Sequence, residues 1–115
     1  MKSFNKSSFF YNEVINLIDF DDHDGALKII KKNIYKLESP DEIALAHLNC
    51  GFLNDNLGDY TSAIEYFSKS IDFESELEII NQRSKDISFS GRSNSKYKNG
   101  DYHGAIKDKR QAKKV

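Results

Sequence analysis

The chain has 115 residues, 30% of them charged, with a formal net charge of −1, one Pro, one Cys and no Trp. This length suits one domain with a modest core, and a single cysteine excludes an internal disulfide. No apolar run approaches the roughly 20 residues that a membrane-crossing helix needs, and Met1–Lys6 lacks an apolar core of signal-peptide length, so no membrane contact and a cytoplasmic location are expected.

In chain order, Phe10, Val14 and Leu17 share one helical stripe, and Ala26, Leu27, Ile30 and Ile34 a second. Between them Asp21-Asp22-His23-Asp24 supplies a turn and a helix cap. The same four residues lack the alternating ligands, the glycine and the closing glutamate of a calcium loop, so a capped turn is the reading. Glu38–Glu42 is a connector, with Pro40 ending a helix there.

Leu45, Leu48, Phe52 and Leu57 then recur at helical spacing, with Gly51 among them. Gly58 can take a left-handed conformation that ends this helix. Asp59 can cap the next one by accepting from amides a turn ahead. Tyr60, Ala63, Ile64, Phe67 and Ile71 form a single apolar stripe, and small Ala63 at its centre lets the preceding helix approach. The pattern is helix, tight turn, helix.

Asn99-Gly100-Asp101-Tyr102 repeats that turn, and 42 positions separate Ala63 from Ala105. Phe89, Ser93 and Tyr97 lie on the first helix of this third unit, and Tyr102, Ala105, Ile106 and Ala112 are the packing positions of the second. Lys109 and Lys113 occupy the places held by Phe67 and Ile71, which suits a terminal helix with a polar outer face. The connector 75–85 carries no Gly or Pro. Extended helix is the preferred reading there, with a flexible loop as the competing one.

Gly51, Gly58-Asp59-Tyr60, Ala63 and Phe67 resemble the tetratricopeptide repeat, a helix pair of about 34 residues, and the chain is similar to small bacterial-type proteins of that family. His47 stands where an aromatic is common, Ser70 where Ala is usual, and Ser75 where many repeats carry Pro. The resemblance implies an all-α, right-handed α-solenoid of three helix-turn-helix units, about six antiparallel helices, in a single domain 1–115. The units fall at approximately 7–40, 44–77 and 86–115.

Such repeats bind a peptide or helix along a concave face made by their first helices. Transferred by frame, that face comprises Tyr11, Asn12, Ile15 and Ile18, then Leu45, Leu48, Asn49, Phe52, Asp55 and Asn56, then Ile87, Ser90, Asn94, Tyr97 and Lys98. The expectation is a non-catalytic scaffold for a protein or peptide partner. Chaperone-tail capture is rejected: of its five-residue clamp only Asn49 matches, with Tyr11, Ile15, Ile87 and Gly91 at the other positions. Without cationic donors a carboxylate would enter unpaired.

The charge is polarised. Residues 81–115 hold ten Lys/Arg against three Asp/Glu, and the first 80 hold seven against fifteen. Weak self-association through the repeat ends is therefore one alternative. Nucleic-acid contact is another, through Arg92, Lys96, Lys98, Lys107, Lys109, Arg110, Lys113 and Lys114. The absence of a groove-reading motif and the near-neutral total weigh against it. His23, His47 and His103 stand at no metal-ligand spacing, and no phosphate loop or Ser/His/Asp pattern occurs. No catalytic residue, cofactor or metal is expected, and Cys50 reads as a small buried thiol.

Overall fold

The computed structural model describes residues 12–76 and 82–112, apart from the side chains at 74–76 and 82–85. All of its regular structure is helical, with no strand among the described residues. Helix α1 covers 12–19, α2 His23–Asn33, α3 Pro40–Asn56, α4 Tyr60–Glu76, α5 Gln82–Lys98 and α6 Tyr102–Ala112. A short 3-10 turn, Ile34–Lys36, follows α2.

Three turns close three helical hairpins in the same way. At the second, Asp59 N donates to Asn54 O at 2.9 Å and Gly58 N to Asp55 O at 3.0 Å. Gly58 itself sits at φ +84°, the left-handed region where an L side chain is strained. At the third, Asp101 N donates to Lys96 O and Gly100 N to Tyr97 O, with Gly100 at φ +89°. At the first, Asp22 N donates to Leu17 O and Asp21 N to Ile18 O, and the left-handed residue is Asp21 at φ +59°. Each turn then presents an aspartate that caps the next helix: Asp22 accepts from Gly25 N, Asp59 from Ser62 N and Asp101 from Gly104 N. The first unit thus makes the turn with Asp in place of Gly. Asp tolerates the left-handed region better than most residues, so the strain a glycine would relieve lies below the roughly 1–2 kcal/mol of an ordinary L residue, and the greater freedom of an unfolded glycine offsets about 0.5–1. Asp21→Gly should therefore change stability by less than about 0.5 kcal/mol in urea unfolding.

Pro40 starts α3 rather than ending a helix, so α3 begins four residues before the expected Ala44. Proline is tolerated at the first helical position because its missing N–H would have no intrahelical partner there. Across the connector, α4 continues to Glu76 and α5 begins at Gln82, so helix reaches well into both ends of 75–85. Residues 77–81 lie outside the described ones.

Three groups of buried side chains follow one another through the molecule. Val14, Ala26, Leu27, Ile30, Ala46, Cys50 and Leu53 join the first hairpin to α3. Leu48, Ala63 and Phe67 join α3 to α4. Ile71, Phe89 and Ala112 join α4, α5 and α6. The third group is small, and serines fill the space around it. Ser70 Oγ donates to Ala44 O at 3.0 Å and lies 3.3 Å from Ser88 Oγ, while Ser93 Oγ donates to Ala105 O at 2.7 Å. Ser70, where Ala is usual, therefore ties α3, α4 and α5 together through satisfied polar contacts.

Phe67 is fully buried between two glycines. A Cβ at Gly51 or at Gly91 would stand 2.7 Å from its ring carbons. The ring thus packs against bare backbone of α3 on one side and of α5 on the other. Of the packing residues expected on α6, Ala105 and Ala112 are buried, but Tyr102 and Ile106 are exposed. Their counterparts on α4, Tyr60 and Ile64, are half-buried, and Tyr60 lies under Lys98 Nζ of α5, 5.7 Å from the ring centroid. No described helix follows α6 to cover its outer face in this way.

Candidate functional site

Helices α3 and α5 lie side by side and run in the same direction. The Phe52 ring reaches to 3.3 Å from a Cβ built at Gly91, and further along Asp55 accepts from Ser95 Oγ at 3.0 Å and Lys98 Nζ at 2.8 Å. This register places Leu45 of α3 within about one turn of Ile87 on α5. Leu45, Phe52 and Ile87 are each about two-fifths exposed. Asn56, Ser90 and Asn94 are exposed and Asn49 half-buried. The seam therefore carries partly open apolar side chains among amides and a hydroxyl.

Of the residues expected to bind a partner, Phe52, Asp55 and Lys98 are brought together here, with Asn49, Asn56 and Asn94 on the same two helices. Asn12 and Ile15 are exposed on α1, Ile18 packs against the first core group, and Tyr11 lies outside the described residues. Leu48 is corrected: it is buried against Ala63 and Phe67 and offers no surface to a ligand. Tyr97 turns toward α6, where its ring meets Tyr102 edge-on at 5.2 Å. Phe52 is itself partly structural, packed edge-on against Phe67 at 4.9 Å. Lys98 is engaged rather than free, and its hydrogen bond to Asp55 raises the pKa of its ammonium group.

The expected basic patch is divided. Arg92 donates through Nε and Nη2 to the two carboxylate oxygens of Asp108, at 2.8 and 2.7 Å, and through Nη1 to Ser68 Oγ at 3.0 Å. Lys96 Nζ lies 3.0 Å from the same carboxylate. Burial opposes the charge on Asp108, but the hydrogen bonds and charges of Arg92 and Lys96 outweigh it and hold its carboxyl below the usual range. Arg92 and Lys96 are thus half-buried and share one carboxylate, and Lys107, Lys109 and Arg110 remain exposed on α6. Lys113 and Lys114 lie outside the described residues. The sequence reading missed Asp108. Its one available signal was a lone acid in the cationic run Lys107–Arg110, two turns of helix past the Asn99–Asp101 turn that leads back to Arg92 and Lys96.

Two further side chains bear on chemistry. His47 fills the aromatic position, stacked on Phe73 at 5.4 Å and tilted against Tyr66 at 6.0 Å, with Nδ1 donating to Ile43 O at 2.8 Å. Burial lowers its pKa, and nearby Lys69 adds to this against the hydrogen bond. Cys50 is buried within the first core group, and burial pushes its thiol up to about 12, so it carries no thiolate at neutral pH. Among the described residues no group of three or more His, Cys, Asp or Glu is placed to hold a metal ion, and no helix is long and apolar enough to cross a membrane.

No known family model matches the chain, and no curated protein matches it.

Proposed function

We propose that this chain is a tetratricopeptide-like solenoid of three hairpins that acts as a non-catalytic adapter in the cytoplasm, holding a short extended peptide or a helix of another protein along the α3/α5 seam. The observation that carries this reading is the seam itself. Leu45, Phe52 and Ile87 stay partly open along the seam, and Asn56 and Asn94 stand exposed beside them. Apolar anchors select side chains, and amides pair with a peptide backbone, which both donates and accepts. A seam with one paired charge, Asp55 with Lys98, favours an uncharged or weakly charged segment. The nucleic-acid reading loses support because Arg92 and Lys96 are half-buried and turned onto Asp108.

The test is selection from a random-peptide display library, with wild type compared against the double variant Ile87→Glu, Asn94→Arg. These are better probes than Phe52, which also packs against Phe67. The expected result is a set of apolar peptides that bind wild type at least tenfold more tightly than the variant, with thermal unfolding unchanged. Peptides that bind both proteins alike would place the binding surface elsewhere.

A further inference from the structure

The outer face of α6 is a surface distinct from the α3/α5 seam, touched at its start by the Tyr97 ring and covered by no helix among the described residues. Tyr102, Ile106, Lys109 and Arg110 follow one another at helical spacing on one stripe, flanking the buried Ala105, Asp108 and Ala112. Tyr102 is 58% and Ile106 52% exposed. An apolar half-stripe that continues into two cations fits a segment carrying one apolar side chain among acids.

The chain contains such a segment at its other end. Phe20 is 85% exposed, the most open of the large apolar side chains among the described residues. It is not on a loose tail: Phe20 N donates to Asn16 O at 3.2 Å, and the next two residues close the left-handed turn on Ile18 and Leu17. The ring is therefore held out from an ordered corner. Asp19, Asp21, Asp22 and Asp24 flank it, all four exposed, with Asp24 paired to Lys28 at 3.0 Å. A phenylalanine presented by a rigid acidic turn has little reason to remain in water when a complementary surface is available, since burying it is worth about 1.5–3 kcal/mol.

We propose that a second copy of this chain docks its Asp19–Asp24 turn on the α6 face, Phe20 seating against Tyr102 and Ile106 while the aspartates meet Lys109 and Arg110. The first hairpin and the last helix lie at opposite ends of the packing order, so the contact is heterologous: each copy offers one turn and one α6 face. Such a contact adds copies head to tail until a ring closes or a filament grows. Its small apolar area makes it weak, and its exposed charges make it sensitive to salt beyond a separation of about 8 Å at physiological ionic strength.

Sedimentation velocity from micromolar to millimolar protein tests this. Wild type is expected to show mass that grows with concentration at low salt and falls at high salt. Phe20→Ser and Ile106→Glu should each weaken association at least tenfold without altering thermal unfolding, and Lys109→Glu provides a second variant on the α6 face. The deciding sample is an equimolar mixture of Phe20→Ser and Ile106→Glu. One retains the α6 face and the other the turn, so the mixture should form a one-to-one dimer that grows no further. Association that ignores both variants, or a mixture that remains monomeric, overturns the proposal. So does a wild type monomeric throughout, which would leave the α6 face to an acidic segment of a different protein.

Discussion

Phe67→Ala is expected to lower the free energy of unfolding by about 3–5 kcal/mol, the range for a buried phenylalanine replaced by alanine. The upper half of that range applies here because of what surrounds the ring. Its neighbours at Gly51 and Gly91 are main chain, not flexible side chains, and a helix backbone cannot fold inward to fill the space left behind. Phe52, edge-on at 4.9 Å, can shift only partly into the gap. Against a total of about 5–15 kcal/mol for a domain of ordinary stability, the loss is severe and easily read as a fall in the urea midpoint. The geometry also predicts a coupling. Gly51→Ala and Gly91→Ala each force a methyl group into the Phe67 ring and should cost about 1–3 kcal/mol in the wild-type background. With Phe67 replaced by Leu, most of that cost should disappear, leaving a double-mutant coupling of at least 1 kcal/mol. If the glycine substitutions cost the same in both backgrounds, the ring does not separate α3 from α5.

Sequence made the turns legible and left the contacts between non-neighbouring helices hidden. Gly58-Asp59 and Gly100-Asp101 encode their conformation locally, in the left-handed preference of glycine and the capping of aspartate, so both turns are found as expected. The first turn is of the same type despite its different wording, because Asp21 tolerates the left-handed region better than most residues. The role of Gly91 was invisible. Ser93, 42 positions after Gly51, meets the α6 backbone, whereas Gly91 serves the preceding hairpin by admitting Phe67. Leu48 was misplaced for a similar reason. A repeat frame tells which way a helix face points in a long array, but Leu48 is drawn into the contact with Ala63 and Phe67. Tyr102 and Ile106 keep the apolar pattern of a covered helix and lack the cover, which no local pattern could reveal.

Asp108→Ala should cost about 2–4 kcal/mol, somewhat below the 3–5 kcal/mol for breaking a wholly buried pair, because Arg92 and Lys96 both keep one-fifth of their side chains in water. The loss arises less from the attraction removed than from two cations left facing a desolvated gap, one of them still bonded to Ser68. Replacing all three members, Asp108→Leu with Arg92→Met and Lys96→Met, should therefore recover most of the stability lost by the single change. A pH experiment isolates the same contact. The folded carboxyl of Asp108 lies below its unfolded value, so between the two the unfolded chain binds more protons and acid favours unfolding. The contribution is fully present above about pH 4 and is lost as pH falls through the folded value. Wild type should thus lose more stability than Asp108→Asn as pH falls below about 4, and the difference between the two curves should flatten at higher pH. Other carboxylates titrate in the same range, but they are common to both proteins and cancel in the comparison. Parallel curves through the acid range would mean that the fork between Arg92 and Asp108 does not form in solution, and that Arg92 and Lys96 are available to a ligand after all.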